Sequence, residues 1–444
     1  MKNWIRTSVE YSALGAILTV LTVTACSPSS SDDDGGGGAG AGPGPGSNDA
    51  EWELVELDDT FCGDGSQYKF FVKRGDGAKN LLVTLEPGGG CWNYATCTGE
   101  NGVLRVANLD GIDDDHMTAL PPPLGKVEDG IPWGLMFPHL GGSDKSVATL
   151  DYNQVYFPYC TGDAFLGEFV AEYESDSSGD SIQIHHHGAH NLRVAQDWLK
   201  NEFTDVDHLL VTGASAGGLG ATVNYAFIRE ALDPKRSSLL NDSGPLFPPG
   251  GPQDAARQAF AQRWQSDALL ESLDELLGAS DDERLVDDSG NINALLARHY
   301  DKDRFIAAHF MRDLNYSLFS YEGFFDDLST EEVYELWEED TQLLIDQMTD
   351  YPHWGYYLPG FRADGCSHVV GMLPIDEFTN SAYVGRALKG SADGYLRTDI
   401  GELNFGAALG SAIAESGEPI REQEDEPEAA FTEEEEAACR LWPE

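Results

Sequence analysis

The chain has 444 residues, 27 of them basic and 77 acidic, for a formal net charge of −50. That charge repels nucleic acid and anionic lipid headgroups, so neither is an expected partner. Hydrophobic residues at 41% and aromatics at 10% exclude a disordered acidic polymer, and the acids then read as a solvated surface over a large core.

The N-terminus carries the pattern of an export signal. Met1-Lys2-Asn3-Trp4-Ile5-Arg6 is basic, and the apolar run from Ala13 to Val23 is too short for a comfortable membrane span. Val23-Thr24-Ala25-Cys26 places small residues before a cysteine, which resembles a bacterial lipobox. Residues 1–25 are therefore expected to be a signal peptide and Cys26 to carry the lipid that tethers the chain to a membrane. Ordinary cleavage and secretion is the alternative. Residues 26–50, rich in Ser, Asp, Gly and Pro, read as a flexible linker. The expected location is the outer membrane or cell surface. Six cysteines remain, namely Cys62, Cys91, Cys97, Cys160, Cys366 and Cys439. An even number in an oxidising compartment suggests three disulfides, with the pairing left open. No Cys-x-x-Cys pair is present, so no metal is expected.

The catalytic domain is expected over residues 51–410. Tyr68-Lys69-Phe70-Phe71-Val72 reads as a strand, and Asn80 to Leu85 as a buried strand running into Glu86-Pro87-Gly88-Gly89-Gly90-Cys91-Trp92. Gly99 to Ser146, rich in Gly, Pro and Asp, reads as a long surface loop. Gln154 to Tyr159 reads as a second buried strand, His190 to Phe203 as a helix, His208 to Thr212 as a third strand, and Ala221 to Leu232 as a helix. This alternation predicts an α/β fold with a mostly parallel central sheet covered by helices on both faces. Residues 253–300 are helix-rich and acidic, and are expected to form a cap over the sheet edge. Arg304 to Phe310 resumes a strand, Thr330 to Met348 is a long acidic helix, and Trp354 to Pro359 is expected as the last strand. Residues 411–444 read as an acidic tail unable to form a core, with its end pinned through Cys439.

Gly213-Ala214-Ser215-Ala216-Gly217 sits between a buried strand and an Ala-rich helix. Gly-x-Ser-x-Gly alone is a weak signal, but strand, turn and helix together make Ser215 a candidate nucleophile on a tight elbow. The amide of Ala216 then faces a developing oxyanion at a helix N-terminus. Glycines directly after an earlier strand free further amides, so Gly89 and Gly90 are candidate oxyanion donors.

Cys62-Gly63-Asp64-Gly65-Ser66, Gly88-Gly89-Gly90-Cys91-Trp92, Tyr159-Cys160-Thr161-Gly162-Asp163, Gly213-Ala214-Ser215-Ala216-Gly217-Gly218 and Asn241-Asp242-Ser243-Gly244 occur in the order seen in the pectin acetylesterase family. That family also contains the Notum-type carboxylesterases. The resemblance covers roughly residues 51–372 and implies an α/β-hydrolase-like fold that cleaves carboxylic esters with a Ser-Asp-His triad and no cofactor. The chain departs from the family in its long acidic loops, in its acidic tail, and in Pro245 where an aromatic is usual. By analogy with the family, Cys62 pairs with Cys160, Cys91 with Cys97, and Cys366 with Cys439.

In this fold the triad runs Ser, Asp, His along the chain. His309 lies inside a strand pattern and His353 precedes the last strand, so both are poor bases. His368 follows that strand in Asp364-Gly365-Cys366-Ser367-His368 and matches the family position; it is the candidate base. Asp313, after the Phe305 to Met311 stretch, is the candidate orienting acid, with Asp326 and Asp327 as fallbacks. His185-His186-His187 with His190 invites a metal reading, but no carboxylate or cysteine accompanies it at ligand spacing. The expected function is a serine carboxylesterase acting on acyl esters, acetyl by family expectation, on a pectin-like polysaccharide. The alternatives are a lipase or polyester or long-acyl esterase, and a catalytically inactive surface binding protein. The intact Ser, Asp and His positions count against the last.

Overall fold

The computed structural model describes residues 52–75, 77–100, 106–117, 149, 151–321, 324–325, 328–360, 368–371, 400, 403 and 405–424. β1 (Glu53–Phe61) and β2 (Gln67–Lys73) form an antiparallel entry, and β3 (Asn80–Leu85) follows. A short helix α1 (Tyr94–Thr98) is closed at its start by a capping box from Asn93 and Thr96. β4 (Asn153–Phe157) pairs with β2 and β3, while β5 (Phe169–Glu174) and β6 (Ser181–His186) make a separate hairpin. Then come α2 (Gly188–Glu202), β7 (His208–Ala214), α3 (Ala216–Leu232) and β8 (Arg236–Asp242). α4 (Asp254–Arg263), α5 (Asp267–Leu277) and α6 (Ile292–His299) precede β9 (Arg304–Ala308). α7 (Leu314–Tyr321), α8 (Thr330–Thr349), β10 (Trp354–Leu358), α9 (Phe405–Ile413) and β11 (Arg421–Gln423) complete the described chain.

Nine strands form one sheet in the order β1-β2-β4-β3-β7-β8-β9-β10-β11. From β4 to β11 every neighbouring pair is parallel, and only β1–β2 and β2–β4 run antiparallel. Every residue of β7 is buried, as a strand must be when both of its faces are covered. α3 packs on β3, β7 and β8, with α2 against it, and α9 packs on β7 to β10. This is an α/β-hydrolase-like sheet, in which the C-terminal ends of the central strands gather the loops that can carry chemistry.

Several expectations need correction. The helical insertion does not cap a sheet edge: it connects the adjacent strands β8 and β9, and α5 and α6 pack on α3. The described part of the expected surface loop buries Val106, Leu109, Ile112 and Met117. The beginning of the expected tail is structural, since Arg421–Gln423 extends the sheet beside β10. The hairpin β5–β6 and strand β8 were not foreseen. The signal segment, Cys26, the linker, Asp326, Asp327, Cys366 and Cys439 lie outside the described residues.

Candidate active site

β7 delivers Ser215 to the head of α3. Ser215 has φ +51° and ψ −122°, a conformation that L-residues avoid, and it is the N-cap of the helix. Such strain, of order 1–3 kcal/mol, persists only where surrounding structure imposes it. Here the amide of Ser215 donates to the Asp242 carbonyl at 2.8 Å, and a Cβ on Gly217 would collide with the Leu85 carbonyl. Glycine at 217 therefore lets the start of α3 press against the end of β3, which sets the elbow beside the glycine-rich loop. Ala216 is the first helical residue, so its amide has no intrahelical acceptor.

Asp313 lies between β9 and α7 and is fully buried. Its Oδ1 accepts the Tyr316 amide at 2.8 Å, and its Oδ2 lies 2.8 Å from His368 Nδ1. Burial pushes the Asp313 carboxyl up, while the neighbouring His368 and the hydrogen bonds oppose that rise. This leaves the ring of His368 fixed through Nδ1, with Nε2 as its other nitrogen. The ring also lies 6.3 Å from that of Tyr316. The structure thus brings Asp313 and His368 into direct contact, although 55 residues separate them.

The glycine loop begins at Glu86, which the sequence reading passed over. Glu86 is fully buried and accepts from the Tyr159 amide and Asn108, and it contacts His116 Nε2 at 3.0 Å. A charged residue closing an apolar strand was the available signal. Gly89 has φ +73° and open space where a side chain would be, and a Cβ on Gly90 would crowd Trp264 and Phe319. The Cys91 amide is already spent on the Gly162 carbonyl at 2.8 Å. An aromatic group adjoins this loop: Trp92 lies 5.6 Å from both Phe260 and Phe319, and Phe260 stacks on Phe319 at 4.5 Å. The Arg263 guanidinium sits over Trp92, Phe260 and Phe324, and among the described residues it makes no ion pair or hydrogen bond.

Two disulfides brace the region. Cys62 joins Cys160 and Cys91 joins Cys97, each with Cα atoms 5.1 Å apart. They suit a protein of an oxidising compartment. Asp163, which the sequence places in one motif with Cys160 but to which it assigns no role, is fully buried and accepts from Thr161 Oγ1 and from the amides of Phe165, Gly167 and Gly188. His186 is engaged at both nitrogens, by the Thr161 carbonyl and the Tyr173 hydroxyl, and the sulfurs near it belong to the Cys91–Cys97 disulfide. His185, His187 and His190 are partly exposed; the ring of His187 meets that of His185 edge-on at 5.5 Å and lies tilted 5.3 Å from that of His190, whose Nε2 sits on the Asp59 carbonyl. His309 is buried against Thr341, and burial pulls it down to about 3. His353 contacts the Ala297 carbonyl, away from Asp313.

The mostly parallel sheet, with a strained serine between a buried strand and a helix and an Asp–His contact built from loops after later strands, gives the chain an α/β-hydrolase-like fold. The pectinacetylesterase family model matches residues 143–343. Palmitoleoyl-protein carboxylesterase notum1a of Danio rerio is 24% identical over 185 residues, covering 42% of this chain and 33% of that protein. Pectin acetylesterase 5 of Arabidopsis thaliana is 25% identical over 194 residues, covering 41% of this chain and 39% of that protein. The matched stretch thus spans about a third of the first of these relatives. A crystal form of the Wnt deacylase Notum from Drosophila aligns with a TM-score of 0.48 at 18% identity, over 81% of this chain and 92% of that one. The chain is thus similar, over part of its length, to the pectin acetylesterases and the Notum carboxylesterases.

Proposed function

We propose that the chain is a serine carboxylesterase that removes acyl groups, acetyl in the first instance, from a pectin-like polysaccharide. The observation that carries this reading is the 2.8 Å Asp313–His368 contact in a fold whose preceding elbow strains Ser215. In the reaction, His368 Nε2 takes the Ser215 proton as Oγ attacks the ester carbonyl. Asp313 holds Nδ1 protonated and steadies the imidazolium. The amides of Ala216, Gly89 and Gly90 receive the oxyanion. His368 returns its proton to the departing alcohol, and water then resolves the acyl-enzyme by the same steps. No cofactor enters the reaction.

Arg263 supports an anionic polymer as substrate. In a chain of net charge −50 an arginine with no acidic partner among the described residues is unusual, and this one lies on rings that adjoin the candidate oxyanion loop. Such rings offer apolar faces to a sugar, and the guanidinium offers a fork to a uronate carboxylate. A lipid on Cys26 and the linker behind it would hold the domain at a membrane surface, where a polymer can reach it.

The test is hydrolysis of a chromogenic ester series from acetyl upward, alongside acetylated polygalacturonate, with Ser215→Ala as the control. The reading expects acetyl esters to be preferred and Ser215→Ala to be inactive but folded. Near wild-type turnover in Ser215→Ala would end it, and a preference for long acyl chains would move the substrate to a lipid-like ester. A Cys26→Ala protein that stayed on the membrane would refute the anchor.

A further inference from the structure

The Asn241-Asp242-Ser243-Gly244 stretch has no step in the mechanism above, yet Asp242 touches both of its moving parts. Asp242 closes β8 and is 3% exposed. Its main-chain carbonyl accepts the amide of Ser215 at 2.8 Å. Its carboxylate accepts three further bonds. Oδ1 takes the Val370 amide at 2.8 Å and the Ser243 hydroxyl at 2.9 Å, and Oδ2 takes the Gly371 amide at 2.8 Å. Val370 and Gly371 are the second and third residues after His368.

The residue between His368 and this clamp is strained. Val369 has φ +61°, a region that a β-branched residue reaches only when held there. Two backbone amides donated to one buried carboxylate supply such a hold. Gly371 fits the clamp tightly, since a Cβ there would meet the Phe405 ring at 2.5 Å and Asp242 Oδ2 at 2.9 Å. His368 is thus fixed twice, its ring by Asp313 and its main chain by Asp242. Ser243 adds a tie to the next strand, donating its amide to the Ala308 carbonyl at 2.6 Å.

We propose that Asp242 is a positioning residue that locks the elbow of Ser215 and the turn carrying His368 into one register. The inference rests on the esterase reading of Ser215 and His368. A carboxylate suits the task because it is acceptor-only, and all three groups facing it are donors. Asparagine has the same shape but must turn an N–H toward one of the two amides. The turn would then shift against the elbow, and misplacement of the base on the ångström scale costs on the order of 10²-fold in rate.

The experiment compares Asp242→Asn and Gly371→Ala with wild type on a small acetyl ester, with melting temperature and near-UV circular dichroism recorded for each. The expected result is a fall in kcat of on the order of 10²-fold with KM nearly unchanged and the fold retained. The low-field proton resonance of the His368–Asp313 bond should weaken in both variants. Gly371→Ala reaches the same clamp from its other side, so it decides the matter if Asp242→Asn does not fold. Wild-type kcat in either folded variant overturns the proposal, as does activity lost only in proportion to folded protein. Ser215→Ala in the same assay separates the two claims. If it is inactive while Asp242→Asn is fully active, only the positioning role fails. If it is active, the esterase reading itself fails.

Discussion

Replacing Asp313 by asparagine tests the geometry most directly, because the structure dictates how the new amide must sit. Asp313 Oδ1 accepts the Tyr316 amide and Oδ2 faces His368 Nδ1, each at 2.8 Å, with no solvent at either. An asparagine can aim its oxygen at His368 only by pointing its NH2 at the Tyr316 amide. That leaves buried donors facing each other, at a cost of about 1–3 kcal/mol each. The opposite orientation keeps the backbone bond and presents an N–H to His368 Nδ1. The imidazole accommodates it simply by moving its proton to Nε2, so this arrangement wins. A ring protonated at Nε2 cannot take the Ser215 proton. The expected loss is on the order of 10⁴-fold in kcat, equivalent to about 5.4 kcal/mol of transition-state stabilisation. Steady-state hydrolysis of para-nitrophenyl acetate reads it, with kcat and KM separated and the melting temperature recorded on the same protein. KM should stay close to wild type, since Asp313 touches no substrate. A loss of less than about tenfold in kcat with the fold intact would falsify the assignment of His368 as the base.

Other consequences can be checked independently. Arg263→Ala should raise KM for acetylated polygalacturonate by about tenfold, the value of a charge-assisted hydrogen bond, and leave a neutral acetyl ester unaffected. Equal effects on the two substrates would count against an anion subsite. Moderate salt should raise activity on the polymer by screening the net charge of −50, with little change for the neutral ester. Asp340 is buried under Tyr321 and the Gln253 amide, and burial pushes its carboxyl up to about 6. A raised carboxyl contributes stability that is present below its ordinary value near 4 and lost as pH rises through about 6. Asp340→Asn should therefore gain in melting temperature relative to wild type between those values, and a difference independent of pH would refute the assignment. Cys62→Ser with Cys160→Ser opens a cross-link between residues 98 apart and should cost about 2–5 kcal/mol in denaturant titration.

Local signals made much of the site legible. Ser215 announced itself because a seven-residue buried strand runs into a glycine-flanked serine and an Ala-rich helix, all within one continuous stretch. β3 was visible for the same reason, as an unbroken apolar run ending at the glycine triplet. Asp313 and His368 needed more than local pattern. Among 77 acidic residues only their order along the chain and the family resemblance singled them out, and their contact closes over 55 residues. The beginning of the expected tail was misread because a three-residue strand of Arg421, Glu422 and Gln423 has no apolar period to recognise. It holds its place at the sheet edge through main-chain pairing with β10, which leaves no trace in side-chain composition.

The residues that escaped notice share a physical character. Glu86, Asp163 and Asp242 are buried carboxylates; Asp163 and Asp242 bind mostly backbone amides and Glu86 binds one, and an amide has no identity in a sequence. β8 shows how this arises. Arg236-Ser237-Ser238-Leu239-Leu240-Asn241-Asp242 reads as a polar stretch with two leucines, yet five of its seven residues are buried. Ser238 and Asp242 are satisfied internally. Ser238 donates to the Ala412 carbonyl and contacts His208, and Asp242 accepts from the turn after His368. Buried polar groups are favourable where they find partners, and those of Ser238 and Asp242 link β8 to its neighbours. Where a serine and a histidine 153 residues apart must be held together, such bonds fix relative position, whereas leucine contacts tolerate sliding. The polarity that hid β8 from periodicity is therefore what suits it to carry Asp242 between the elbow and the base.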